Sequence, residues 1–292
     1  MELIPEQGLT FAALRQEFDA LVTRAFSLDE SRAMLRLLYT LEWPEAVFPR
    51  FADDCIPAAR ATYILAVAAR LAEGEPLQYV LGKAPFAAYV FSVGPGVLIP
   101  RPETEELLAW IAEDYRDLPE PQHIVDIGCG SGCLAVSLAF LFRSARVSAV
   151  DVSAVALAFT ASNAVRILGT GHSIQCLELD FLREADRLPA ADLMVSNPPY
   201  IAADAVHEVD LHVQSHEPHL ALYAPGSDAL VFYRRLADCF RRQEAGRFYC
   251  EINPHYAAET CALFDGLSGV EVTLRKDITG KDRMVRCIKK AP

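Results

Sequence analysis

No two of the eight cysteines stand at C-x-x-C spacing; Cys55, Cys129, Cys133, Cys176, Cys239, Cys250, Cys261 and Cys287 are scattered along the chain. Structural zinc sites show paired short spacings, so no metal is expected, and most of the thiols read as small core residues. A run of eighteen apolar residues is also missing, which removes a membrane-spanning helix from the expectations. The basic-then-apolar order of a secretory leader is absent from Met1–Thr10, which carries Glu2 and Glu6 instead. The chain is therefore expected to be cytoplasmic. A basic surplus is lacking too: 27 Lys and Arg face 39 Asp and Glu, for a net charge of -12. Proteins that grip phosphate backbones usually carry a basic face, so no direct nucleic-acid substrate is expected, although the balance leaves room for a local basic patch. Neither an internal repeat nor a low-complexity tract is found.

What is present is ample apolar material. Hydrophobic residues make up 52% of the 292 and charged residues 23%, enough to bury a core in two domains. Residues 8 to 73 read as helices: Phe11, Leu14, Phe18, Leu21 and Val22 recur at three- and four-residue steps. Met34, Leu37, Leu38 and Leu41 do the same, as do Ile64, Leu65, Ala68 and Leu71. Ser27 with Glu30 spells a capping box. Residues 1–75 are expected as a small helical bundle. Residues 76–100 are expected as a β-hairpin linker, from β-formers such as Tyr79, Val80, Phe86, Tyr89 and Phe91 broken by Gly82, Pro85 and Gly94. A helix is expected from about Glu103, after two prolines hold the chain extended.

From residue 123 strand-like and helical runs alternate, which predicts an α/β domain over 101–292 with a mostly parallel sheet covered on both faces. The strand runs are Ile124–Ile127, Val147–Val150, Ile174–Leu179, Leu193–Ser196, Arg247–Ile252, Val270–Leu274 and Met284–Ile288. About eight residues separate the last two, too few for a helical crossover, so the last strand should run antiparallel. Seven strands with the last reversed is the pattern of methyltransferase sheets; nicotinamide-binding dehydrogenases usually keep theirs parallel.

The first strand runs into Asp126-Ile127-Gly128-Cys129-Gly130-Ser131-Gly132. Alternate glycines let the backbone turn tightly and let a ligand lie close to it, at the carboxyl end where open α/β sheets bind ligands. Cys133 stands where a dinucleotide fingerprint has a small residue, so the loop alone does not separate the cofactor classes. Asp151, ending the second strand, is placed to accept from ribose hydroxyls, with helix capping as the plainer alternative. Asp180 and Phe181 follow the third strand and could meet an adenine, or be a turn and a core ring.

Asn197-Pro198-Pro199-Tyr200 follows the fourth strand at its carboxyl end. An amide or exocyclic amine is a poor nucleophile because its lone pair is delocalised. A site helps by accepting hydrogen bonds from both N–H groups and aiming the nitrogen at an electrophilic methyl. The Asn197 side-chain oxygen and the Pro198 carbonyl are the two acceptors expected. The prolines restrict the backbone, which keeps those acceptors fixed during reaction. Tyr200 is placed to stack on the flat group. Neither a strong base nor a metal is needed, since the methylated nitrogen becomes acidic and a sulfonium is a good leaving group.

At these residues the chain resembles the HemK/PrmC family, the release factor glutamine N5-methyltransferases. The resemblance also covers Gly74-Glu75-Pro76-Leu77-Gln78-Tyr79, Leu98-Ile99-Pro100-Arg101-Pro102-Glu103-Thr104-Glu105, Arg275-Lys276-Asp277 and Gly280-Lys281-Asp282-Arg283. The Asn-Pro-Pro-Tyr motif is shared with nucleic-acid amine methyltransferases; Pro-Arg-Pro-Glu-Thr-Glu narrows the choice. The resemblance implies that Gly128 to Gly132, Asp151 and Phe181 contact S-adenosylmethionine. Asp126, Asp180 and Asn197 join them as cofactor candidates. It further implies that Asn197 to Tyr200 hold the glutamine of the Gly-Gly-Gln loop of class I release factors, and that the helical domain docks that partner. Arg101 and Glu103 either position substrate or are surface charges at a helix start. Glu251-Ile252-Asn253-Pro254 departs from the family's usual Glu-Ile-Gly followed by Gln, so local loop differences are expected there. Phe181 stands where relatives carry Trp. The rival readings are a ribosomal-protein glutamine methyltransferase, a nucleic-acid exocyclic-amine methyltransferase acting on a flipped base, a nicotinamide oxidoreductase and a non-catalytic binding module.

Overall fold

The computed structural model describes residues 4–169, 171, 174–202, 210–242 and 246–290. The chain divides into two compact units, residues 1–82 and 83–292. The first runs β1 (Leu9–Thr10), α1 (Phe11–Val22), α2 (Leu28–Glu42), β2 (Cys55–Ile56), α3 (Ala58–Leu71) and α4 (Leu77–Leu81). The Ser27–Glu30 capping box forms as its spacing predicts. Leu14, Phe18, Leu35, Leu38, Ile64 and Leu65 make the core. On α2 the buried stripe is Ser31, Leu35, Leu38 and Tyr39. Met34 and Leu37 of the expected stripe are only partly buried. Ser31 enters the interior because its hydroxyl donates to Asp19 at 2.7 Å. The β-reading of Tyr79 and Val80 is corrected: they lie in α4, which Gly82 ends in a left-handed conformation at φ 69°.

The second unit opens with the expected hairpin, β3 (Lys83–Phe86) and β4 (Tyr89–Ser92). Next is α5 (Pro102–Asp114), entered through Pro102, with Glu103 and Glu105 in its first turn. Then β5 (His123–Ile127), α6 (Cys133–Leu141), β6 (Arg146–Asp151), α7 (Ala154–Leu168), β7 (Ile174–Glu178), α8 (Phe181–Glu184) and β8 (Leu193–Ser196) alternate. A two-strand parallel pair of β9 (Ile201–Ala202) and β10 (Tyr223–Ala224) flanks two short helices, α9 (Leu211–His216) and α10 (His219–Leu222). The chain ends with α11 (Val231–Arg242), β11 (Arg247–Glu251), α12 (Ala257–Asp265), β12 (Val270–Lys276) and β13 (Asp282–Lys289).

Seven strands lie in the order β12-β13-β11-β8-β5-β6-β7. β13 is antiparallel to both neighbours; the other strands are mutually parallel. The reversal has the expected cause, a short turn. Asp277 braces that turn by accepting from the Thr279 and Lys281 amides at 2.9 and 3.0 Å. Helices cover both faces. Trp110, Leu134, Leu138 and Phe142 pack on one, and Tyr233, Phe240 and Phe264 on the other. No helix among the described residues is long and apolar enough to cross a membrane. The order of strand addition reverses at the centre of the sheet, between the parallel neighbours β5 and β8, which is where the carboxyl ends of an open α/β sheet leave a crevice.

Candidate active site

The two motifs singled out in the sequence leave adjacent strands side by side. Ile127 and Ser196 are register partners, and the Ser196 hydroxyl donates to the Ile127 carbonyl at 2.7 Å. The next residues, Gly128 and Asn197, begin the glycine loop and the proline tetrapeptide. A Cβ on Gly128 would lie 3.9 Å from the Asn197 carbonyl oxygen. Gly128, Gly130 and Gly132 take φ of 76°, 55° and 80°, which is why this loop needs glycine. The Gly128 and Cys129 amides donate to the Val150 carbonyl at 2.8 and 3.0 Å, and the Gly130 amide to Asp151 at 2.9 Å. Helix α7 holds the loop from behind: Thr160 donates to the Gly130 carbonyl at 3.1 Å, and Asn163 to the Ser131 carbonyl at 2.9 Å.

In front of the loop is a cavity of about 800 Å³ lined by Gly128, Gly130, Asp151, Asp180, Phe181 and Asn197-Pro198-Pro199, with apolar walls from Val150, Val155 and Leu179. Asp151 accepts from the Gly130 and Ser153 amides, both at 2.9 Å, while burial pushes its carboxyl above the usual range. Asp180 also caps α8, accepting from the Leu182 amide at 3.1 Å. Phe181 is 6% exposed and packs in the core, so it meets the cavity as a wall and not as a free ring.

Four of the expected contact residues, Asp126, Cys129, Ser131 and Gly132, do not line this cavity. Asp126 is buried and accepts from the Ala135 amide at 3.0 Å, clasping the first turn of α6. Its other oxygen has no partner among the described residues, and burial raises its carboxyl to about 7. Cys129 receives a bond from Thr160 at 3.4 Å, and burial pushes its thiol up. Alternation accounts for Cys129 and Ser131, since a loop that turns every second residue toward the ligand turns the ones between toward the protein. Asp126 and Gly132 share the parity of the lining glycines but serve helix α6, Asp126 through the Ala135 amide and Gly132 as its N-cap.

A second cavity of about 250 Å³ is lined by Arg101, Asn197, Pro198, Tyr200 and Glu251; Asn197 and Pro198 border both spaces. The Asn197 Nδ2 donates to the Thr104 hydroxyl at 3.1 Å, and that hydroxyl donates to Glu251 at 2.8 Å. With Nδ2 committed, the side-chain oxygen is the atom left to face the cavities. The Tyr200 hydroxyl reaches the other Glu251 oxygen at 3.4 Å, and Asn253 donates to the Tyr200 carbonyl at 3.2 Å. Asn253 thus supports the tail of the tetrapeptide, and its own oxygen caps the turn by accepting from His255 at 3.0 Å. Glu251 is 2% exposed, and burial raises its carboxyl to about 7 against the opposing Thr104 bond and Arg283 charge.

Arg101 pairs with the buried Glu217, which also accepts from the Ile99 amide at 3.0 Å. Glu103 lines neither cavity. Its charge opposes ionisation of Glu251. Glu217→Ala is expected to lower stability by about 2–3 kcal/mol, because it orphans a buried amide and one arm of Arg101. Urea unfolding monitored by tryptophan fluorescence measures this; an unchanged midpoint would mean that the pair contributes nothing.

Thr104, Glu217 and Glu251 are not among the residues that the sequence motifs single out for the site. Glu251 carries the same signal as Asp151, a carboxylate ending an apolar strand at the same edge. Thr104 and Glu217 carry no local signal; their partners lie 93 and 116 residues away.

Residues 104–236 match the methyltransferase small domain family. The chain is 40% identical over 221 residues to the release factor glutamine methyltransferase of Flavobacterium psychrophilum, covering 74% of this chain and 76% of that one. Identity to the protein of the same name from Mycolicibacterium smegmatis is 40%, over 80% and 82% of the two chains. With the Cereibacter sphaeroides protein of that name it is 33%, over 91% and 87%. Among solved structures, a T. thermophilus 16S rRNA N2 methyltransferase in complex with AdoMet and guanosine shares the fold, with TM-score 0.50 and 21% identity over 72% of this chain and 50% of that one.

Proposed function

The chain belongs to the release factor glutamine methyltransferase family, and from that membership we propose that it methylates the side-chain N5 of the glutamine in the Gly-Gly-Gln loop of class I release factors, with S-adenosylmethionine as donor. The observation that carries this reading is the register of β5 and β8, which sets the glycine loop beside the proline tetrapeptide.

The larger cavity suits the cofactor. Gly128 and Gly130 keep side chains out of its wall. Each Asp151 oxygen accepts one backbone amide and retains a lone pair for a ribose hydroxyl. Asp180 and Phe181 offer an acceptor and an apolar wall suited to adenine. When bound, the cofactor supplies an electrophilic methyl on a positively charged sulfur. The chain's task is then to hold the acceptor nitrogen. The Asn197 oxygen and Pro198 carbonyl take its two N–H groups, and Tyr200, braced by Glu251 and Asn253, lies against the amide plane. Once methylated, the nitrogen is acidic and sheds its proton without a dedicated base. Residues 1–75 are assigned to docking the release factor, residues 76–100 to linking, and residues 101–292 to transfer. Exposed Val47 and Phe51 support the docking role. The substrate puts the enzyme's work in the cytoplasm.

The test is incubation with radiolabelled S-adenosylmethionine and purified class I release factors, with and without ribosomes. Label in the release factor that disappears when its Gly-Gly-Gln glutamine is replaced is the expected result. Label only in a ribosomal protein or in RNA would overturn the substrate. Asp151→Asn is expected to weaken S-adenosylhomocysteine binding about 10–100-fold, since it removes charge-assisted bonds to the ribose and sets an amide N–H against a backbone donor. Isothermal titration calorimetry measures it, and unchanged affinity would move the ribose elsewhere.

A further inference from the structure

An asparagine side-chain amide has nearly the same shape either way round, and only its hydrogen bonds decide which end is the oxygen. At Asn197 the choice matters, because a substrate N–H needs an acceptor and would be repelled by a second NH2. The Thr104 hydroxyl has one proton and sits between two partners, 2.8 Å from Glu251 Oε2 and 3.1 Å from Asn197 Nδ2. An ionised carboxylate only accepts, so it claims that proton. The Thr104 oxygen can then only accept from Asn197, which turns the amide oxygen to the cavities. A protonated Glu251 can donate to Thr104 instead. The hydroxyl proton is then free to turn to Asn197, which favours the reversed amide.

We propose that Glu251, acting through the Thr104 hydroxyl, is a positioning residue that fixes the orientation of the Asn197 amide and so controls methyl acceptance; this rests on reading Asn197 as the acceptor for the substrate N–H groups. The groups facing Glu251 come from every element packed on it. Glu103 on α5 opposes its charge, and Arg283 on β13 favours it while tied to Asp277 at 3.2 Å. Tyr200 donates to it after β8, and Cys133 on α6, Tyr233 on α11 and the adjacent Cys250 feel its charge. Burial outweighs the favourable partners and sets the titration at about 7. The sign follows: the ionised, productive form dominates above that pH and is lost as pH falls through it.

Two measurements decide the matter. The first follows the side-chain amide signal of Asn197 in ¹⁵N-labelled protein, identified by its loss in Asn197→Ser. It should shift with pH through about 7 in the wild type and stay flat in Glu251→Gln. The second follows kcat for release factor methylation against pH. Wild-type kcat should fall about tenfold per pH unit on the acid side, and Glu251→Gln should flatten that limb while lowering the pH 8 rate about tenfold. Thr104→Val should lower kcat similarly and Thr104→Ser should restore most of it, with S-adenosylhomocysteine affinity unchanged throughout. An Asn197 signal that ignores pH, or that titrates alike in Glu251→Gln, overturns the relay whether or not release factor is methylated. A wild type that labels no release factor overturns the proposed substrate, and the amide signal still decides the relay.

Discussion

Asn197→Ala is expected to reduce methyl transfer to release factor by about 10²–10³-fold, with S-adenosylhomocysteine affinity within about twofold of wild type. The backbone around Asn197 is fixed independently of its side chain: Ser196 is bonded to Ile127, and two prolines follow. Removing the amide therefore takes away one acceptor without moving the cavity wall. The loss should appear in kcat and not in the KM for cofactor, because the interaction with the acceptor nitrogen strengthens as that nitrogen gains positive charge. The Thr104 oxygen loses a donor, so stability should fall by about 1 kcal/mol, which leaves the protein folded. Single-turnover transfer at saturating cofactor is the direct measurement. Near-wild-type turnover would remove Asn197 from the chemistry. Loss of cofactor binding would instead make it a structural part of the donor site.

Much of this arrangement is legible in the chain because it is written locally. Strand and helix runs carry their own periodicity, and the short stretch after Lys276 forces the reversed β13 whatever the rest of the sheet does. The glycine loop and Asn-Pro-Pro-Tyr follow apolar strands directly, so their place at the carboxyl edge follows from the strand assignment. Side-chain partnership is another matter. Tyr79 and Val80 favour strands by type, yet Gly82 and the apolar bundle draw them into α4. The even spacing of Asp126, Gly128, Gly130 and Gly132 suggests one continuous contact surface. In the fold only Gly128 and Gly130 line the cavity, and Asp126 and Gly132 serve helix α6. Thr104 and Glu251 stand 147 positions apart and meet only because α5 packs beside β11.

That division within the loop leads to the second large effect, at Gly132. Its φ is +80°, and a Cβ there would lie 2.8 Å from Thr160 Oγ1, 2.9 Å from its Cγ2 and 3.0 Å from its backbone. Thr160 is fully buried, and its hydroxyl is used on Gly130 and Cys129. A β-branched side chain on a helix has few rotamers to retreat into, and turning it away breaks the bond that holds the Gly130 carbonyl. Gly132→Ala should therefore cost about 3 kcal/mol, roughly half from the left-handed backbone and half from forcing α6 and α7 apart. Gly130→Ala provides the contrast. Its φ is +55°, with no heavy atom within 4 Å of the added Cβ, so its stability cost should be about 1 kcal/mol. Gly130 lines the large cavity, however, and its new methyl would intrude on the ligand, so cofactor affinity should fall about tenfold or more. Urea unfolding and calorimetric titration on both variants should give opposite rankings, stability falling most in Gly132→Ala and affinity per unit of stability falling most in Gly130→Ala. Adding Thr160→Ala to Gly132→Ala removes the Oγ1 and Cγ2 overlaps. It relieves neither the crowding against the α7 backbone nor the strain at residue 132, so only part of the loss should return. Full recovery would mean that the left-handed backbone at residue 132 costs nothing, and no loss at all in Gly132→Ala would mean that α6 and α7 are not packed as closely as their approach through Thr160 requires.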